Sequence, residues 1–274
     1  MVERMQKVTQ QKAKSCYVSI RDLLTVYVWG MNFDTTITRE SIAAAYKRYA
    51  SSKYDKNYYE NKLKEGEGRP GSDCSGAHHK LSGYDTTAQG YFDRCTAKGP
   101  LHTIPRDRVV LLFKGKSLKD LPVRSDGTFL PEDAKKINDI SHTGAYIGNC
   151  MAIHMKSSKE NCVYESVDKH GWYYWGYADF IDYDTVLKKT KPMLTRLIKM
   201  GYKGIDVQFA QDMLNKKGYD CGRVDGDFGK KTKEAVKKFQ EDNKLTTDGI
   251  IGKDTGKRLG FNIRYFDSPW SPNG

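Results

Sequence analysis

Ser72-Asp73-Cys74-Ser75-Gly76 is the stretch that decides how this chain is to be read. It sets a thiol between a carboxylate and a hydroxyl, beside a glycine that lets backbone come close to a ligand. A helical stretch is expected at once, over 77–81. A cysteine opening that helix would have its thiolate favoured by the dipole and by the free N–H groups of the first turn, which also suit an oxyanion. The alternative for Cys74 is a buried structural cysteine behaving as a small hydrophobe.

The second informative stretch runs from His142-Thr143-Gly144-Ala145-Tyr146-Ile147 through Gly148-Asn149 to His154. It reads as a β-hairpin with a histidine near each open end. Parity decides whether the two can cooperate. A two-residue turn at Gly148-Asn149 puts His142 and His154 on opposite faces, because side chains alternate with period two. An odd connection, such as Gly148 to Cys150 with a bulge, sets His154 opposite Gly144 and diagonal to His142.

Working outward, apolar residues at helical spacing (Cys16, Ile20, Leu23, Leu24) predict an N-terminal helix over 7–28, running into Tyr27-Val28-Trp29-Gly30. Residues 32–70 read as a helical insertion with Thr38 as a cap, forming either a surface layer or a lid or wall beside Cys74. Val109 to Phe113, five apolar residues bounded by charge, predict a buried strand. The aromatic run over 163–184 is expected to supply closing strands and a groove wall, with core packing the default role of its rings. From about residue 199 a second unit carries an internal repeat. Asp225-Gly226-Asp227-Phe228-Gly229-Lys230-Lys231-Thr232 recurs as Asp248-Gly249-Ile250-Ile251-Gly252-Lys253-Asp254-Thr255, each ahead of a helical stretch, which predicts a small three-helix module. The residues beyond Phe261 read as a mobile tail.

The 274 residues hold 38% hydrophobic and 12% aromatic residues, enough for a core, and no stretch approaches a membrane span. Membrane insertion is therefore not expected. The formal charge of +12 points to a polyanionic partner or surface. Acids interrupt the lysines and no nucleic-acid motif is present, so nucleic acid is not the expected partner. The six cysteines contain no Cys-x-x-Cys pair, against a zinc site or a disulfide framework, and no cofactor is called for. The polar, basic N-terminus has no apolar core of a secretory signal.

Taken together, Asp73-Cys74-Ser75-Gly76 and His142 to Asn149, with a histidine twelve residues after the first, resemble the NlpC family of papain-like cell-wall cysteine peptidases. Tyr27-Val28-Trp29-Gly30, Thr87-Ala88-Gln89 and Pro105-Arg106-Asp107 support the match, which covers about 20–184. The resemblance implies an α+β papain-like core over 1–190, with Cys74 as nucleophile, His142 as base and His154 as the residue that orients the imidazole. Asn161 or Glu165 are the alternatives for that last role. It also implies that Tyr27, Asp73 and Ser75 line the pocket for the stem peptide. Two departures stand out: the long separation of Gly30 from Cys74, and Arg106 in place of a glycine. The repeat, over 199–261 and including Phe239-Gln240, is similar to the small peptidoglycan-binding module of wall hydrolases.

The expected activity is cleavage of an amide bond in the stem peptide or cross-link of peptidoglycan, with anionic wall polymers as further partners. A muramoyl-L-alanine amidase, a wall-binding protein with an inactive thiol and an acyltransferase on the same fold are the alternatives. A phage lysin made in the host cytoplasm and acting at the wall is the expected setting, with a bacterial enzyme exported by another route as the alternative. His78, His79, His102 and His170 are expected at the surface.

Overall fold

A computed structural model describes residues 7–118, 121–185 and 191–263. The chain divides into two compact units. The first contains the residues up to 188 except 148–151 and 166–170; the second contains those two short segments and the chain from 189 onward.

The first unit is α+β, built on a six-stranded sheet. In spatial order its strands are Ala97–Pro100, Tyr174–Tyr177, Val110–Gly115, Ile140–Tyr146, Met151–Ser157 and Asn161–Ser166. Registers along the first five run antiparallel. Val109 to Phe113 are wholly buried, as a run of five apolar residues in a sheet covered on both faces should be. Phe113 meets Phe92, from helix Ala88–Arg94, edge to face at 5.1 Å.

The N-terminal helix is shorter than its apolar spacing predicts. It spans Gln10–Asp22, capped by Thr9, whose side chain accepts from the Lys12 N–H. Leu23 and Leu24 are each 52% exposed, and Leu24 turns the chain with a φ of 51°. The β-branched and aromatic residues that follow favour a strand. Val26–Tyr27 accordingly pairs in parallel with Gly71–Ser72, and Thr35–Thr36 lies antiparallel on the other side. This small sheet delivers the chain to Cys74.

The insertion is two helices, Arg39–Tyr49 and Lys56–Gly66. Thr38 and Ser41 form a capping box on the first, and Asp55 caps the second. Val26, Val28, Met31, Ile37, Ile42, Ala45 and Tyr59 make its core. Polar contacts fasten it to the body. The Trp29 N–H donates to the Tyr58 hydroxyl (3.0 Å) and the Tyr59 hydroxyl donates to the Trp29 carbonyl (3.0 Å). The buried Lys62 ammonium bonds Glu65 and the Ser158 carbonyl, each at 2.6 Å. So many directional anchors suit a fixed wall better than a moving lid.

The second unit contains helices Ile205–Lys216, Lys230–Asp242 and Lys253–Leu259 around Val207, Leu214, Phe228, Val236, Phe239 and Ile251. The sequence repeat has a structural counterpart. The Gln211 amide donates to Asp225 Oδ1, the Asp227 carbonyl and Thr232 Oγ1, while its oxygen accepts from the Gly226 N–H. Gln240 repeats the pattern with Asp248, Ile250, Thr255 and Gly249. Each Asp-Gly-x-x-Gly-x-x-Thr turn thus closes over one buried glutamine. Asn262–Ile263 pairs in parallel with Met193–Leu194, so two residues read as tail form a strand; the rest of that stretch lies outside the described residues. Among the described residues no helix is long and apolar enough to cross a membrane.

Candidate functional site

Asp73 fixes the turn that carries Cys74. Its Oδ1 accepts from the Ser75 hydroxyl (2.9 Å) and the Gly76 N–H (2.7 Å), its Oδ2 from the Gly30 N–H (3.0 Å). Its own N–H donates to the Met31 carbonyl at 2.9 Å. Burial pushes the carboxyl up and these donors hold it back. A side chain on Gly76 would come within 2.1 Å of the Met31 carbonyl oxygen, so only glycine permits this approach. Asp73 and Ser75 both line the cleft described below, yet their polar atoms are turned to each other and to backbone.

Cys74 is 6% exposed. After it come a 3-10 turn, Gly76–His78, and a short helix, His79–Ser82. So brief a helix offers little dipole, and the expected thiolate is not what the resting site favours. Burial, and after it the Asp73 charge, push the thiol up to about 12, while the N–H groups of Thr143, Ser75 and Cys74 itself act the other way. The contact with the Thr143 N–H sets the sulfur against the strand Ile140–Tyr146, one residue from His142. The Tyr27 hydroxyl is raised by burial and next by the charges of Cys74 and Asp73.

The hairpin has the odd connection. Ala145 pairs with Ile153 and Tyr146 with Ala152, leaving five residues between the last paired residues. Gly148, Asn149 and Cys150 take positive φ values of 82°, 58° and 66°. A Cβ on Gly144 would lie 2.7 Å from the His154 Cβ, so His154 stands over Gly144. His142 Nε2 is then 2.8 Å from His154 Nδ1, and His154 Nε2 is 3.1 Å from Glu165 Oε1. Lys156 reaches the other Glu165 oxygen at 3.4 Å. Trp172 stacks on the His142 ring at 5.5 Å and 21°.

This wiring fixes the protons. The Glu165 carboxylate only accepts, so His154 carries its hydrogen on Nε2; burial lowers the His154 pKa, which keeps the ring neutral. His154 Nδ1 then accepts from the Nε2–H of His142, and the basic nitrogen of His142 is Nδ1.

Of the two alternatives to His154, Glu165 stands behind it, whereas Asn161 bonds Glu65 and the Tyr27 N–H elsewhere. His78 departs from expectation. It is fully buried, between the Tyr17 hydroxyl (3.0 Å) and Thr143 Oγ1 (3.0 Å), and burial lowers its pKa to about 3. It ties the turn after Cys74 to the strand of His142. His102 is exposed, and His79 and His170 are half-buried.

A cleft of about 360 Å³ opens over the sulfur, lined by Cys74 and Ser75, by Trp29, Arg48 and Tyr49, and by Asp85 and Ser141, among others. Its size is at the small end of ligand pockets.

Comparison with known proteins speaks to the second unit. Residues 203–259 match the family described as "Putative peptidoglycan binding domain". The carboxy-terminal processing protease CtpB of Bacillus subtilis is 40% identical over 62 residues, 23% of this chain and 13% of the relative. The spore cortex-lytic enzyme of Bacillus cereus is 37% identical over 73 residues, 27% of this chain and 28% of the relative. The crystal structure of a Burkholderia AP3 phage endolysin is 33% identical over 23% of this chain and 24% of that one, with a TM-score of 0.23. The matches thus span under a third of these relatives' lengths, and the family match assigns residues 203–259 to a peptidoglycan-binding type of domain.

Proposed function

We propose that this protein is a peptidoglycan hydrolase that cuts an amide bond of the stem peptide or cross-link through Cys74, holding its substrate with the module of residues 203–259. The observation that carries the reading is the Glu165–His154–His142 chain of hydrogen bonds, whose last member precedes Thr143, the residue whose N–H meets the Cys74 sulfur in the wall of a cleft. The family match of the second unit supports the substrate. Action at the bacterial cell wall follows from it.

Chemically, the thiol starts neutral. As Sγ attacks the scissile carbonyl carbon, His142 Nδ1 takes the thiol proton, and charge passes to the carbonyl oxygen. Collapse of the tetrahedral intermediate breaks the C–N bond, and the imidazolium returns the proton to the leaving amine. Water, deprotonated by His142, then attacks the thioester, releasing a carboxylate and restoring the thiol. His154 and Glu165 hold the imidazole and stabilise its charged form, the task of the third member of a triad. Asp73 and Ser75 shape the pocket by fixing the turn, whereas Tyr27, expected to line it, is buried and is not among the residues around the cleft. An endopeptidase is favoured over a muramoyl-L-alanine amidase.

A second reading, a wall-binding protein whose thiol is inert, draws on the strong upward push that burial gives Cys74. Alkylation separates the two. A working site reacts with iodoacetamide at Cys74 near neutral pH at least about tenfold faster than the other five thiols, because His142 supplies the base. Equal rates favour the binder.

A further inference from the structure

His78 is a buried polar side chain that the proposed chemistry leaves unused. Two tyrosine rings cage it edge to face, Tyr17 at 5.6 Å and 81° and Tyr91 at 4.9 Å and 73°. A leucine would fill such a space without the cost of burying an imidazole, a cost visible in the fall of the His78 pKa to about 3. What the imidazole adds is direction. In its neutral form it gives a hydrogen to one hydroxyl and takes one from another, so it serves both that flank it, Tyr17 and Thr143 Oγ1, each at 3.0 Å.

The two ends of this bridge differ. Tyr17 is the anchor, buried in the helix Gln10–Asp22, where burial keeps its hydroxyl protonated. Thr143 is the end where the bridge acts. It is wholly buried in the strand Ile140–Tyr146, and the register with Met151–Ser157, which covers Ala145 and Tyr146, stops short of it. The Thr143 N–H meets the Cys74 sulfur. His78 closes the 3-10 turn Gly76–His78 that follows Cys74. Two contacts therefore join the same two pieces of chain, N–H to sulfur and imidazole to hydroxyl, and the second sets the reach of the first.

From this geometry we infer that His78 is a positioning residue, a neutral imidazole braced on Tyr17 that holds Thr143 where its N–H donates to the Cys74 sulfur. That N–H favours the thiolate, so the brace helps a buried thiol give up its proton. The inference rests on the hydrolase reading only for the use made of the sulfur.

The test is the rate at which iodoacetamide alkylates Cys74 at pH 7 in His78→Leu and in Thr143→Val, each of which removes one end of the bridge and keeps the space filled. Loss of the held donor should slow alkylation about threefold to tenfold, the scale of one hydrogen bond. Loosened packing does the opposite, because it uncovers a sulfur that is 6% exposed in the fold. The double variant should be no slower than the slower single one, since both changes break one bridge. Thr143→Ser, which keeps the hydroxyl, should recover most of the rate. A folded His78→Leu or Thr143→Val protein that reacts as fast as the unaltered one or faster, or losses that add in the double variant, overturns the inference; Thr143→Val decides alone if His78→Leu does not fold. Wall cleavage is scored separately, with kcat expected to fall alongside alkylation while KM holds. If alkylation slows as stated and the unaltered protein leaves the wall intact, the hydrolase reading fails and the brace stands. If the wall is cut with the same kcat in both variants, the brace fails and the hydrolase stands.

Discussion

Glu165 is 7% exposed and shares its oxygens between His154 and Lys156, and from that position it decides which nitrogen of His142 is basic. Replacing it with glutamine offers an N–H donor to His154 Nε2, reverses both tautomers and leaves His142 Nδ1 protonated, so that it cannot take the thiol proton in the proposed mechanism. Glu165→Gln should therefore lower kcat about tenfold to a hundredfold while KM and the unfolding temperature barely move; an unchanged kcat removes the tautomer argument. His78 makes a different prediction. Its folded pKa near 3 lies below the 6.5 of the free side chain, so between those values the unfolded chain binds a proton that the folded chain does not. Stability is thus complete above pH 6.5 and falls as pH drops through the window, by up to ~1.4 kcal/mol per unit. Urea unfolding at pH 7 and pH 5 should show this loss, and His78→Gln should flatten it. Cys74, His142 and His154 stood out in the sequence as candidates because their residue types and spacing are unusual. His78 was not legible, since nothing local says which of two adjacent histidines in a short helix turns inward. Glu165 stood only as one of two alternatives, and it took strand pairing to bring it behind His154.

Between elements, the hairpin is where parity becomes chemistry. Three consecutive residues with positive φ make the connection odd, and Gly144 makes room for His154 to lie across the strand. Gly144→Ala would press a methyl against the His154 Cβ at 2.7 Å and the Trp172 ring at 2.9 Å. That variant should lose most of its activity by displacing both relay and stacking partner, with wall binding intact; full activity would show that the register is not needed. The odd turn was open to sequence only as a condition, because Gly148-Asn149 also suits a two-residue turn. The N-terminal helix shows the opposite difficulty. Leu23 and Leu24 continue the apolar spacing of the helix but are half-exposed in the turn beyond it, so periodicity alone overran the end. The insertion helices were legible from Thr38 and their tyrosines, whereas the Lys62 and Tyr59 anchors that fix them join residues far apart in the chain.

Across the whole molecule, the proposed function assigns holding to the second unit and cutting to the first. The glutamine-centred turns predict that Gln240→Ala, which strips four hydrogen bonds from one repeat, weakens wall binding severalfold while the alkylation rate of Cys74 stays the same. A parallel fall in both would mean that the units do not act separately. The repeat itself was plain in the sequence as Asp-Gly-x-x-Gly-x-x-Thr; the glutamine at its centre was not, because the loops from Gln211 and Gln240 to their turns differ in length. The direct test of the account is a digest of purified peptidoglycan with the unaltered protein and with Cys74→Ala, the fragments identified by mass spectrometry. The account predicts paired new amino and carboxyl termini at one amide bond with the unaltered protein and none with Cys74→Ala. Intact wall with both, or the same termini with both, would contradict it.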